Sequence, residues 1–184
     1  MKKTLIIGGA RSGKSSYAQE LALKSGGAVL FVATAEAGDE EMKQRIEAHR
    51  KARPPRWQTF EATTHIGRRI ALKVSKVQTV IVDCITLLVN NVIQKYPQSD
   101  DKETEAIIEK EVMTEIDELV YCIVQSDASF IIVTNEVGLG LVPADRVSRL
   151  YRDLLGKVNQ VLAQHADQVY LMVAGVPVAI KAGD

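Results

Sequence analysis

The sequence carries no excess of charge of either sign: Lys and Arg together number 23, and so do Asp and Glu. A balanced chain lacks the basic field that gathers nucleic acid or an anionic membrane surface, so neither is expected as a partner. Cysteine is scarce. Cys84 and Cys122 sit in apolar contexts without metal-ligand spacing. That excludes a disulfide scaffold and fits a reducing cytoplasm. No stretch reaches the roughly 18 consecutive apolar residues of a membrane span. Met1-Lys2-Lys3 resembles the start of a secretory leader, but its apolar run covers only Leu5 to Ile7, so cytoplasmic residence is expected. Internal repeats and low-complexity segments are missing too. With 46% hydrophobic and 25% charged residues, the 184-residue chain is expected to form a single domain, 1–184, with an ample core.

What the chain does have begins at once. The apolar Thr4-Leu5-Ile6-Ile7 runs into Gly8-Gly9-Ala10-Arg11-Ser12-Gly13-Lys14-Ser15, and a helix-forming segment follows to about Lys24. Strand, loop and helix are the setting of a phosphate-binding P-loop. Gly8 and Gly13 leave room for loop amides to face phosphate oxygens at the positive end of the helix. Lys14 would reach the β- and γ-phosphates, and the Ser15 hydroxyl would serve Mg²⁺.

Apolar, β-branched runs recur at Leu5–Ile7, Val29–Ala33, Thr79–Val82, Phe130–Val133 and Val169–Val173. Such unbroken runs, interleaved with helical segments, predict a parallel sheet covered on both faces. A final pair, Val169–Val173 and Val176–Ile180 around Ala174-Gly175, predicts an antiparallel hairpin. The expected architecture is α/β: a P-loop NTPase (RecA-like) three-layer fold, its central sheet mostly parallel and its C-terminal hairpin antiparallel. Ligands of such sheets collect where the strands end.

Beyond the second strand, the segment from Asp39 to Arg53 reads as a helix, acidic at its start and basic at its end, stopped by Pro54-Pro55. Its apolar positions are few. His49 shares a face with Arg45, Ile46, Ala52 and Arg53 at helical spacing. Neighbouring guanidinium groups disfavour protonated imidazole, which keeps it nucleophilic, and the same arginines can hold phosphate. On composition alone, the pattern reads first as a solvated charged helix with an incidental histidine. Trp57 to Glu61 is a short extended run whose acid faces solvent or a ligand. The third apolar run closes on Asp83, the Walker B arrangement in which an acid helps to hold Mg²⁺. Thr104–Gln125 and about Arg146–His165 read as amphipathic helices, with Asn159-Gln160 as surface or partner contacts. His65 and His165 lack a surrounding constellation.

These motifs together resemble one family across nearly the whole chain. The matching pieces are the P-loop, Ala33-Thr34-Ala35, the Arg45…His49-Arg50…Arg53-Pro54…Trp57 core, Asp83-Cys84-Ile85-Thr86, Thr134-Asn135-Glu136-Val137-Gly138, and Arg149 to Asp153 with Gly156 and Asn159-Gln160. The chain resembles the bifunctional adenosylcobinamide kinase/adenosylcobinamide-phosphate guanylyltransferases of cobalamin biosynthesis. Some relatives carry paired histidines where this chain has Ala48-His49, so only His49 can serve. The resemblance implies phosphorylation of adenosylcobinamide by ATP or GTP, then transfer of GMP from GTP to the resulting phosphate through guanylyl-His49. It also implies nucleotide contacts from Gly8 to Ser15, Ala33, Thr34, Ala35, Arg50, Lys51, Ala52, Arg53, Glu61 and Asp83. Mg²⁺ would sit at Ser15 and Asp83, and the chain would assemble as a homotrimer. Two other readings are a single-activity P-loop small-molecule kinase with His49 incidental, and a nucleotide-dependent switch without a small-molecule substrate.

Overall fold

The computed structural model of the chain describes residues 1–35, 47, 50, 51, 53–97 and 101–183. Seven strands form one sheet: β1 (Lys3–Gly8), β2 (Val29–Ala33), β3 (Gln58–Glu61), β4 (Thr79–Asp83), β5 (Ser129–Val133), β6 (Gln168–Val173) and β7 (Val176–Lys181). Across the sheet the order is β3-β2-β4-β5-β1-β6-β7. All neighbours are parallel except β6 and β7, the expected antiparallel hairpin. The hairpin turns at Ala174 (φ 50°) and Gly175 (φ 84°), both left-handed, as a tight turn matched to strand twist requires.

Alternate residues of each inner strand face opposite layers, and both layers are buried and apolar. Leu5, Leu30, Val32, Val80, Val82, Phe130 and Ile132 pack on one side. That side is covered by α2 (Ile66–Ala71), α3 (Ile85–Ile93), α4 (Lys102–Gln125) and α5 (Arg146–His165). On the other side Ile6, Phe31, Ile81, Ile131 and Val133 meet Ala18 and Ala22 of α1 (Lys14–Ser25) and the indole of Trp57. Burial of each Leu, Ile or Phe contributes about 1.5–3 kcal/mol, which accounts for the unbroken apolar runs. The result is the three-layer α/β architecture expected of a P-loop protein.

One edge of the sheet and two helices differ from the sequence reading in informative ways. The short run after Trp57 is a full sheet member, since β3 pairs with β2 in parallel register. Its exposed, polar Gln-Thr-Phe-Glu composition hides it from any search for apolar runs. α2 and α3 have no counterpart in the periodicity assignments; α3 is apolar around much of its circumference because the sheet and α4 enclose it. α4 starts where Asp101 accepts hydrogen bonds from the Glu103 and Thr104 amides, a side-chain cap. The expected helix from Asp39 to Arg53 lies mostly outside the described residues; Glu47, Arg50 and Lys51 are helical. No described helix is long and apolar enough to cross a membrane.

Candidate active site

The sheet register sets the site. Ile6 pairs with Val133, Val133 with Asp83, Asp83 with Ala33, and Ala33 with Glu61. One row therefore crosses five strands, at the last residue of four of them and two residues before the end of β1. The P-loop lies beyond it, with a cavity of about 530 Å³. The cavity is lined by the loop from Ala10 to Ser15, by Ala33 and Ala35, by Arg53, and by Asp83.

The loop is held by its own chain and by the distant hairpin. A Cβ on Gly8 would lie 2.7 Å from the Met172 carbonyl oxygen and 2.8 Å from Ser12 Oγ, so a side chain there would collide. Gly13 has φ 93° and precedes α1; a Cβ there would stand 3.2 Å from Gly175 Cα. The Gly175 amide donates to the Ser12 carbonyl at 3.1 Å, so the β6–β7 turn braces the phosphate loop. Lys14 is buried, and its Nζ donates to the Gly9 carbonyl at 2.5 Å.

On the facing wall Asp83 ends β4. Behind it, Thr34 is fully buried, and its hydroxyl both donates to the Cys84 carbonyl (2.6 Å) and accepts from the Cys84 amide (2.8 Å). Thr34 thus secures the backbone that presents Asp83, while Ala33 and Ala35 on either side of it line the cavity. Burial, with help from the Asp83 charge, pushes the Cys84 thiol up to about 11, so it remains a neutral wall group at physiological pH.

Arg53 enters the cavity with its guanidinium carbon 3.8 Å from the centroid of the Phe31 ring, a cation–π contact. Its Nε is buried, with no hydrogen-bond partner found among the described residues. Burial lowers its pKa, while Asp83 and Glu61 pull it back up. Glu61 itself is exposed and meets the site through this charge coupling; it does not line the cavity. Arg50 and Lys51 are exposed, and neither lines it. His49 and Ala52 lie outside the described residues.

Cavity-lining Cys84, Thr86, Leu87, Val133 and Asn135 extend the set of residues read from the sequence. The signal available for them was position: each follows or ends an apolar strand. Asn159 requires correction. The sequence reading placed it on the surface or against a partner, but it is buried. Its Oδ1 accepts from the Thr134 hydroxyl at 2.8 Å and its Nδ2 donates to the Asn135 carbonyl at 3.0 Å. A buried carboxamide needs such partners, and these lie more than 20 residues away in sequence.

The remaining histidines have structural roles. The His65 amide donates to both oxygens of buried Glu115, at 2.8 and 2.6 Å, at the start of α2. Glu118, beside it, is ion-paired to Arg68 at 2.6 Å. His65, Glu115 and Glu118 bring potential ligand atoms within 4.8 Å of one another, and the amide and guanidinium bonds account for this arrangement. His165 Nδ1 bonds to the Val161 carbonyl at 2.9 Å.

A strand–loop–helix phosphate cradle, facing a strand-end carboxylate across a parallel sheet, defines a P-loop nucleotide-binding protein of the α/β class. Comparison with known proteins refines that class. The chain belongs to the cobinamide kinase/cobinamide phosphate guanyltransferase family, which it matches over residues 4–180. It is 38% identical over 179 residues to the bifunctional adenosylcobalamin biosynthesis protein CobU of Escherichia coli K12, covering 96% of this chain and 98% of that protein. It is 39% identical over 180 residues to bifunctional CobP of Pseudomonas aeruginosa, covering 97% of each. A crystal structure of the RadB recombinase aligns over 92% of this chain and 73% of its own, at 15% identity and a TM-score of 0.49.

Proposed function

We propose that the protein phosphorylates the aminopropanol hydroxyl of adenosylcobinamide with ATP or GTP, and then joins GMP from GTP to that phosphate. The supporting observation is that Arg53, four residues after His49, lines the same cavity as Lys14, Ser15 and Asp83. Arg53 thus stands at the phosphate site, four positions along the chain from the proposed nucleophile. In the first reaction the P-loop amides and Lys14 hold the triphosphate while the corrinoid hydroxyl attacks the γ-phosphorus. In the second, a neutral His49 imidazole nitrogen attacks the α-phosphorus and pyrophosphate leaves. The corrinoid phosphate then displaces histidine from the phosphoramidate, giving adenosyl-GDP-cobinamide. Two easier displacements replace one hard one. Lys14 and Arg53 stabilise charge on the departing pyrophosphate.

The hydroxyl of Ser15 and the carboxylate of Asp83 are hard oxygen donors lining one cavity, which suits Mg²⁺. When bound, Mg²⁺ neutralises charge on the β- and γ-oxygens. Ala33 and Ala35 contribute to the nucleotide site as lining residues in this reading, Glu61 acts through Arg53, and Arg50 and Lys51, outside the cavity lining, contribute by their charge alone. Self-association is supported by the exposed apolar side chains of β7, among them Val176 (60% exposed) and Ile180 (61%), and assembly as a trimer is what the family resemblance implies.

The test is incubation with α-labelled GTP and Mg²⁺. A guanylyl-histidine gives protein-bound label that is labile in acid and stable in base, and His49→Ala abolishes it. Label that persists in His49→Ala overturns the assignment.

A further inference from the structure

Strand order gives β5 a particular place. It lies between β1, which carries the phosphate loop, and β4, which ends in Asp83. A group at its carboxyl end is flanked by both halves of the phosphate site. Asn135 is that group, two residues past Val133, and both line the cavity.

Its backbone is clamped from three directions. The Asn135 amide donates to the Thr86 hydroxyl oxygen at 2.8 Å, from the start of α3. Its carbonyl accepts from Asn159 Nδ2 of α5 at 3.0 Å, and Asn159 is itself fixed by the Thr134 hydroxyl. The next amide, that of Glu136, donates to the carbonyl of Gly8 at 3.0 Å, tying the segment to the first residue of the phosphate loop. A buried polar network of this kind rigidifies what it surrounds when every member is satisfied. With both main-chain groups engaged, the carboxamide is what Asn135 can offer the cavity. That side chain makes no hydrogen bond among the described residues.

We infer that the Asn135 carboxamide donates a hydrogen bond to a γ-phosphoryl oxygen, and that Asn135 is a catalytic residue of the kinase reaction but not of guanylyl transfer. The inference rests on the proposed pair of reactions. In the kinase step the corrinoid hydroxyl oxygen bonds to the γ-phosphorus. The bond from that phosphorus to the β–γ bridging oxygen breaks, its electron pair stays with the nucleoside diphosphate, and the hydroxyl proton is released to water. Charge spreads over the equatorial γ-oxygens, where a preorganised neutral donor acts without reorganising. Asn135 exchanges no proton. In guanylyl transfer the breaking bond lies between the α-phosphorus and the α–β bridging oxygen, and the γ-phosphate departs unchanged as part of pyrophosphate.

The test compares both reactions in full-length Asn135→Ala and Asn135→Ser. Transfer from γ-labelled ATP and from γ-labelled GTP to adenosylcobinamide gives kcat and KM. The rate of protein labelling by α-labelled GTP reports guanylylation. For Asn135→Ala, kcat for the kinase step should fall roughly 100-fold, the loss typical of one transition-state donor, with KM within about threefold. Labelling should stay within about threefold of wild type, and Asn135→Ser, which keeps a short donor, should recover about tenfold of the lost kcat. The urea midpoint should not move, because the removed amide bonds nothing in the described fold. Kinase kcat within threefold of wild type, or equal losses in both reactions, overturns the inference. A wild-type chain that takes no label indicts the His49 reading instead; the kinase kcat of Asn135→Ala, at an unchanged urea midpoint, then still decides the role of Asn135.

Discussion

The two walls of the cavity are built by opposite means. The P-loop wall is local: eight consecutive residues supply its glycines, its ammonium and its hydroxyl. The opposite wall is assembled from distant pieces. Thr34 holds the Asp83–Cys84 backbone across 50 residues, and Thr86 and Asn159 hold Asn135 across 49 and 24. The local wall can be read as a motif. The assembled wall emerges only when strand order and register bring its parts together, yet it fixes where the acid and the carboxamide stand.

The comparison predicts different failures on the two sides. The largest effect belongs to the local wall: Lys14→Ala should lower both kinase turnover and guanylylation roughly 10³-fold with little change in stability, because one ammonium serves both reactions. On the assembled wall, Asn159→Leu should cost about 1–3 kcal/mol in urea unfolding, since the Thr134 hydroxyl and the Asn135 carbonyl lose their buried partner. Gln160→Leu, at the exposed next position, should stay within about 0.5 kcal/mol.

Where the walls touch distant structure, smaller effects follow. Gly175→Ala forces a Cβ onto a residue with φ 84°, at a cost of about 1–2 kcal/mol. Because the Gly175 amide holds the Ser12 carbonyl, KM for nucleotide should rise beyond what the stability loss explains. Cys84 gives a pH signature. Its folded pKa is raised from 9.0 to about 11, so its contribution to stability is full below pH 9 and lost as pH rises towards 11. Unfolding midpoints should fall through that window; burial raises the Cys122 thiol to about 11 as well, so Cys84→Ala should reduce the fall and leave the part that Cys122 supplies.

Sequence patterns disclosed much of this, for physical reasons. Continuous apolar runs marked the inner strands because both faces of each are covered. The P-loop was legible because close packing against Ser12, Met172 and Gly175 demands glycine at Gly8 and Gly13. β3 was not read as a sheet member, because an exposed edge strand needs no apolar alternation. Asn159 looked like surface because a polar residue on a helix usually is; its partners at Thr134 and Asn135 make burial tolerable. The same non-local logic kept Asn135 out of the candidate site.

The central claim is that one phosphate cradle serves attack at the γ-phosphorus and, through His49, at the α-phosphorus. The most direct measurement follows both labels in His49→Ala. Transfer from γ-labelled GTP to adenosylcobinamide should persist within about threefold of wild type, while protein labelling by α-labelled GTP should vanish. Undiminished protein labelling in that variant, or loss of the kinase reaction along with it at unchanged stability, would contradict the account.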